Sequence, residues 1–95
     1  MSLTILSILL YHLNVKDAKM MYKIYQCESA NGTQLIHYNN DKRKTVDRGF
    51  WMYNSYWMKD ISDDCSYDAV CSTKTAIKIF KKSGTKPWVC AKLIK

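Results

Sequence analysis

Between Cys27 and Trp57 the chain reads CESANGTQLIHYNNDKRKTVDRGFWMYNSYW, and three kinds of local structure meet in it. Glu28 closes an apolar helical repeat, and Asn31-Gly32 breaks it, because both residues adopt backbone that helices exclude. Gln34 to Tyr38 is rich in apolar and aromatic residues. The polar run Asn39-Asn40-Asp41-Lys42 reads as a turn, and Thr45 to Arg48 returns as a second strand. That predicts a small hairpin with Asp47 near its end. Gly49 then opens a compact aromatic segment, Phe50 to Trp57.

Upstream, Asn14 has the chemistry of a helix N-cap, and Asp17 places a negative charge in the first turn. Val15, Ala18, Met21, Tyr22 and Tyr25 recur at helical spacing, which predicts an amphipathic helix over 15–28. Leu3 to Leu13 is apolar. It reads either as a first helix or as the remnant of a signal segment, although no basic residue precedes it and no small-x-small cleavage site follows. It is too short to span a bilayer, so no stable membrane insertion is expected.

Downstream, Asp60, Asp63, Asp64 and Asp68 form an acidic stretch, read as a solvated loop. A calcium site there would lack EF-hand spacing. Ala69 to Lys82 is the clearest helix, with Ala69, Thr73, Ala76, Ile77 and Phe80 on one face and lysines on the others. Ser83-Gly84 stops it and Pro87 blocks its continuation. Trp88 and Val89 are expected to fold back onto the core. No repeat or linker divides the sequence, so residues 1–95 are read as one domain.

The composition is that of a globular protein, with 47% apolar and 24% charged residues. Seven Tyr, three Trp and two Phe are more aromatics than so small a core needs, and a carbohydrate cleft is one destination for the surplus. The net charge is +7, and no acid follows Asp68 while Lys74, Lys78, Lys81, Lys82, Lys86, Lys92 and Lys95 do. Such a surface favours anionic partners, among them a bacterial wall bearing phosphate polymers. No basic-aromatic motif of a nucleic-acid module accompanies it, so nucleic acid is not an expected partner.

Four cysteines, Cys27, Cys65, Cys71 and Cys90, permit two disulfides in three pairings. Cys65 with Cys71 would close a short loop, and Cys27 with Cys90 would tie the first half to the C-terminus. Four buried thiols in a reducing compartment is the other reading. No pair has CxxC spacing, and both histidines lie elsewhere, so no metal site is expected.

Glu28 is the sole glutamate, and the other seven acids are aspartates. Held against aromatic side chains at a helix end, its carboxyl would be desolvated and its pKa raised, which suits a general acid near neutral pH. Asp47 lies across the hairpin. Two carboxylates in different environments facing one bond are the acid and nucleophile of a glycosidase.

The ordered set Glu28-Ser29, Asn39-Asn40-Asp41, Asp47-Arg48-Gly49, Asn54-Ser55 and Tyr56-Trp57 resembles the active-site region of the lysozyme-like superfamily. That superfamily includes chicken-type lysozymes and phage and bacterial lytic transglycosylases. The tail AIKIFKKSGTKPWVC, Ala76 to Cys90, is similar to their closing helix and following tryptophan segment. The resemblance implies an α+β fold, mainly α, with a small β-hairpin lining a cleft. It implies cleavage of the β-1,4 bond between N-acetylmuramic acid and N-acetylglucosamine, without a cofactor, by a monomer acting on peptidoglycan glycan strands.

On that resemblance Glu28 is the acid and Asp47 the second carboxylate. Ser29, Asn54, Tyr56, Trp57 and Trp88 fall at or near substrate positions. Met52 and Tyr53 depart from the family's usual Gln and Ile, the cysteine pattern differs, and the chain is short. A secreted, extracytoplasmic or phage-associated location is implied. Two alternatives stand beside the hydrolase: a lytic transglycosylase using Glu28 alone, and a non-catalytic cationic wall-binding or antimicrobial protein.

Overall fold

A computed structural model describes residues 2–94. Two helices come first, α1 (Ser2–His12) and α2 (Val15–Glu28), joined at Leu13-Asn14. A three-stranded antiparallel sheet follows in the order β1 (Ile36–Tyr38), β2 (Val46–Arg48), β3 (Tyr53–Asn54). A single turn, α3 (Asp63–Ser66), leads into α4 (Ala69–Ser83), and a 3-10 turn spans Val89–Lys92. The architecture is α+β and mainly helical, as the residue pattern predicts.

The helix ends follow from their caps. The Asn14 side chain accepts the Asp17 amide at 2.8 Å, which satisfies one of the four unpaired donors of the first turn of α2. Asp68 does the same for the Cys71 amide of α4 at 2.7 Å. Gly84, at φ 67°, ends α4 with its amide on the Phe80 carbonyl. Lys81 and Lys82 in the last turn complement the helix dipole.

α1 packs against both α2 and α4. Ile5, Leu9, Met21, Ile24, Tyr25, Trp51 and Tyr53 are fully buried. The buried aromatics keep their polar ends paired: Trp51 Nε1–H donates to Thr73 Oγ1 at 3.0 Å, the Tyr53 hydroxyl to the Ser72 carbonyl at 2.7 Å, and Trp88 Nε1–H to the Trp51 carbonyl at 3.1 Å. Burial holds the Tyr53 hydroxyl far above its ordinary pKa, so it stays a donor. These three bonds pin the aromatic segment to α4 and the C-terminal segment.

The hairpin register sets His37 opposite Asp47 and Asp47 opposite Asn54. The third strand, Tyr53–Asn54, lies within the segment read from sequence only as a compact aromatic run. It forms because Met52 takes φ 53°, a turn conformation its side chain does not advertise. Gly49 sits at φ 81° where a Cβ would overlap the Ser66 carbonyl, so only glycine lets β2 pass α3 this closely.

The acidic stretch is more structured than the expected solvated loop. Ser62 caps α3, Asp68 caps α4, and Asp63 pairs with the buried Arg48 at 2.8 Å. Arg48 also donates to the Tyr53 and Met58 carbonyls at 3.0 and 3.1 Å, so one side chain ties β2, β3 and α3 together.

Both disulfides pair as Cys27–Cys90 and Cys65–Cys71, and no free cysteine remains. That removes the four-thiol reading and is compatible with an oxidising, extracellular setting. The first bridge closes 63 residues and the second closes 6. Chain entropy makes the long one worth about 4 kcal/mol, the larger of the two. Among the described residues no helix is long and apolar enough to cross a membrane.

Candidate active site

Glu28 is the last residue of α2, and its side chain leaves the helix where Ser29 turns the backbone. The carboxyl is half-buried. Its Oε2 accepts the Cys90 amide at 2.9 Å, across 62 residues of sequence. Burial raises its pKa above the ordinary carboxylate value, the Cys90 hydrogen bond opposes that rise, and the nearby Asp47 charge adds to it. The balance favours a proton on this group to higher pH than on a solvated glutamate.

Asp47 is central in β2, and its neighbour on β3 holds it. Asn54 Nδ2–H donates to Asp47 Oδ1 at 3.0 Å and to Thr45 Oγ1 at 3.2 Å. The other end of the same amide, Oδ1, accepts the Tyr56 and Trp57 backbone amides at 2.9 and 3.1 Å. Asn54 therefore orients the second carboxylate and also shapes the turn that presents Trp57.

The network continues through Thr45, whose hydroxyl donates to Asp41 Oδ2 at 2.6 Å and accepts from Asn39 Nδ2 at 3.1 Å. These Thr45 contacts hold the Asp41 carboxyl below its usual range.

Two hollows meet at the carboxylates. The larger, about 460 Å³, is lined by Glu28, Asp47, Asn54, Met52, Trp57 and Val89, with Asp41 at its edge. The smaller, about 150 Å³, adds Gln34, Ile36 and His37 to Glu28, Asp47 and Met52. Together they form a cleft of the size that accommodates a small ligand, with an apolar wall and a few convergent polar groups. Its lining carries three carboxylates and neither lysine nor arginine. A further hollow between α1 and α4, lined by His12, Ile77 and three lysines, has no acid to work with.

Trp57 is 74% exposed at the cleft, so its ring is free to stack on a ligand. Tyr56 packs edge-on against it and carries the Arg43 guanidinium 4.0 Å above its ring, beside the cleft rather than within its lining. Asn54 lines the cleft as expected for a substrate contact and holds Asp47 as well.

Three expected substrate contacts lie outside the cleft lining: Tyr56 beside it, and Ser29 and Trp88 in the interior. Ser29 is fully buried: its hydroxyl donates to the Tyr25 carbonyl and accepts the Gly32 amide, closing α2. Trp88 is 2% exposed and packs at a tilt against Trp51, folding back onto the core as expected, whereas Val89 does not: it is exposed and forms the cleft wall with Pro87. Glu-Ser and Trp-Val pairs look alike in sequence whichever member faces out.

The Cys90 amide and the Thr45 hydroxyl carry no local signal, since each matters only through a contact made elsewhere in the chain. Among the described residues no group of three His, Cys, Asp or Glu side chains is placed to hold a metal.

No protein-family model matches the chain, and neither a curated protein nor a solved structure matches it. The site is thus defined by its own geometry: a desolvated carboxyl and a hydrogen-bonded carboxylate sharing one cleft beside an exposed indole.

Proposed function

We propose that the protein is a peptidoglycan-cleaving glycosidase, a muramidase with a lysozyme-like fold, acting on the β-1,4 bond between N-acetylmuramic acid and N-acetylglucosamine. The observation that carries this reading is the pairing of unlike carboxyls in one cleft: Glu28 desolvated and favouring its proton, Asp47 held by Asn54.

In the proposed reaction Glu28 gives its proton to the glycosidic oxygen as the C1–O bond breaks. Asp47 stabilises or captures the electron-poor C1 that results. Water then adds to C1 and returns its proton to Glu28. Trp57 offers a stacking face for a sugar ring.

The exposed lysines of α4, Lys74, Lys78, Lys81 and Lys82, lie outside the cleft lining. They would hold the enzyme on an anionic wall without placing cations beside the acid. The two disulfides support a secreted, extracytoplasmic or phage-associated location.

The test is product analysis of purified walls. Muropeptides with reducing N-acetylmuramic ends, and loss of activity in Asp47→Asn, are expected. Anhydro-muropeptides with full Asp47→Asn activity would replace the hydrolase by a lytic transglycosylase. Binding to walls with no glycan product would overturn the enzymatic reading in favour of a wall-binding protein.

A further inference from the structure

We infer that the Cys27–Cys90 disulfide is a positioning device for the Glu28 carboxyl, and that Cys90 acts on the acid through its backbone amide. The inference rests on the reading of Glu28 as the proton donor, and it assigns to this disulfide a part in the reaction.

The connectivity forms a closed circuit. Cys27 precedes Glu28 in the last turn of α2, its sulfur is bonded to that of Cys90, and the Cys90 amide donates to Glu28 Oε2 at 2.9 Å. The cross-link therefore joins the residue that sets where the acid starts to the residue that sets where it ends. Beside it, the other holds on the turn that carries Cys90 are the Trp88 indole and the partly buried Ala91 and Ile94, which pack against the core. The 3-10 turn Val89–Lys92 has no buried residue, and the nearest anchor on its N-terminal side is the indole of Trp88. Val89 in the same turn is 75% exposed at the cleft wall.

A charged acceptor gains more from a fixed donor than a neutral one does, so the amide stabilises the ionised form of Glu28 selectively. It thereby opposes the burial that raises this group's pKa. The cleft's other titratable groups are Asp47 on β2, His37 on β1 and Asp41 in the hairpin loop; the 3-10 turn adds none to the lining. Asp47 is the one whose charge reaches Glu28, and it pushes in the same direction as burial. The Cys90 amide is thus the contact that draws the acid back toward the ordinary carboxylate range. The Cys65–Cys71 bridge, between α3 and α4, touches none of this and serves as the internal control.

The experiment compares the parent with Cys27→Ala/Cys90→Ala and with Cys65→Ala/Cys71→Ala. Because Glu28 is the sole glutamate, carboxyl-13C-labelled glutamate gives one titrating carboxyl resonance, read by NMR without any need for activity. The parent and the Cys65/Cys71 variant are expected to titrate alike, and the Cys27/Cys90 variant at higher pH. In the wall-cleavage assay only the Cys27/Cys90 variant should move the alkaline limb of its pH profile upward. Its kcat should fall about tenfold at little-changed KM, as expected for a misplaced catalytic group.

A folded Cys27/Cys90 variant that titrates with the parent overturns the inference. Should that variant not fold, Cys27→Val/Cys90→Ala refills the lost volume. In the parent itself, the Cys90 amide proton resonance must follow the Glu28 titration; an indifferent amide overturns the inference equally. A parent that titrates as described but cleaves nothing would sink the glycosidase reading and leave the positioning circuit standing.

Discussion

The helices α1, α2 and α4 and the segment from Glu28 to Met58 obey different rules. In α2 and α4 caps, periodicity and burial agree, and no residue within the three helices has a positive φ. In the cleft segment they conflict. Ala30, Asn31, Lys44 and Met52 all take φ between 48° and 61°, which side chains with a Cβ rarely adopt. Each such residue costs about 1 kcal/mol, so the segment holds a conformation that local preference opposes.

Met52 shows how that conformation is maintained. It lines both hollows at φ 53° and sits between Trp51 and Tyr53, each fully buried and hydrogen-bonded to α4. The helical half supplies the stability, and the segment spends part of it on placing Asp47, Met52 and Asn54 around Glu28.

The contrast is broken most severely at the joint between the halves. Trp51→Ala should lower stability by about 3–5 kcal/mol, read by urea denaturation, and should also cost activity because Met52 loses its anchor. Leu9→Ala, in the scaffold alone, should cost about 3 kcal/mol by the same measurement while activity per folded molecule stays that of the parent. If Leu9→Ala lowers specific activity as much as Trp51→Ala, the two regions do not divide the work as described.

A cleft change should show the reverse pattern. Asn54→Ala frees Asp47 and the Trp57 turn, and is expected to lower kcat tenfold to a hundredfold, roughly, in steady-state wall cleavage, with a small stability loss. The smallest effect is a gain. Lys44→Gly relieves a left-handed backbone at an exposed hairpin position and should raise stability by up to about 1 kcal/mol, seen as a higher urea midpoint.

Legibility follows the same division. The bounds of α2, its Asn14 cap and the run of α4 from Ala69 to its Ser83-Gly84 stop are readable because helical periodicity and capping are local properties of the chain; the Asp68 cap, taken for part of a solvated loop, is not. The hairpin and its Asp47 are readable for the same reason, and the observed disulfides are one of three pairings that counting allows. The hairpin's third strand is not readable, because it depends on Met52 adopting a glycine-like turn. Nor are the burial of Ser29, the exposure of Val89 or the Cys90 amide on Glu28, since each is decided by which distant residue arrives. Glu28 and Asp47 stand out in the sequence; what orients them, Asn54 included, emerges only on folding.

The most direct measurement of the central claim compares Glu28→Gln with the parent in clearing purified bacterial walls, each checked for folding. Loss of the general acid should lower the rate by roughly 10²–10⁴. Stability should move the other way. Because burial raises the Glu28 pKa in the folded state, that state holds its proton longer than the unfolded chain does. The parent therefore loses stability as pH rises from the ordinary carboxylate range through the raised value, and the loss persists above it. Glu28→Gln removes that penalty, so its Tm should be higher than the parent's at neutral pH. A folded Glu28→Gln protein that clears walls as fast as the parent would contradict the account.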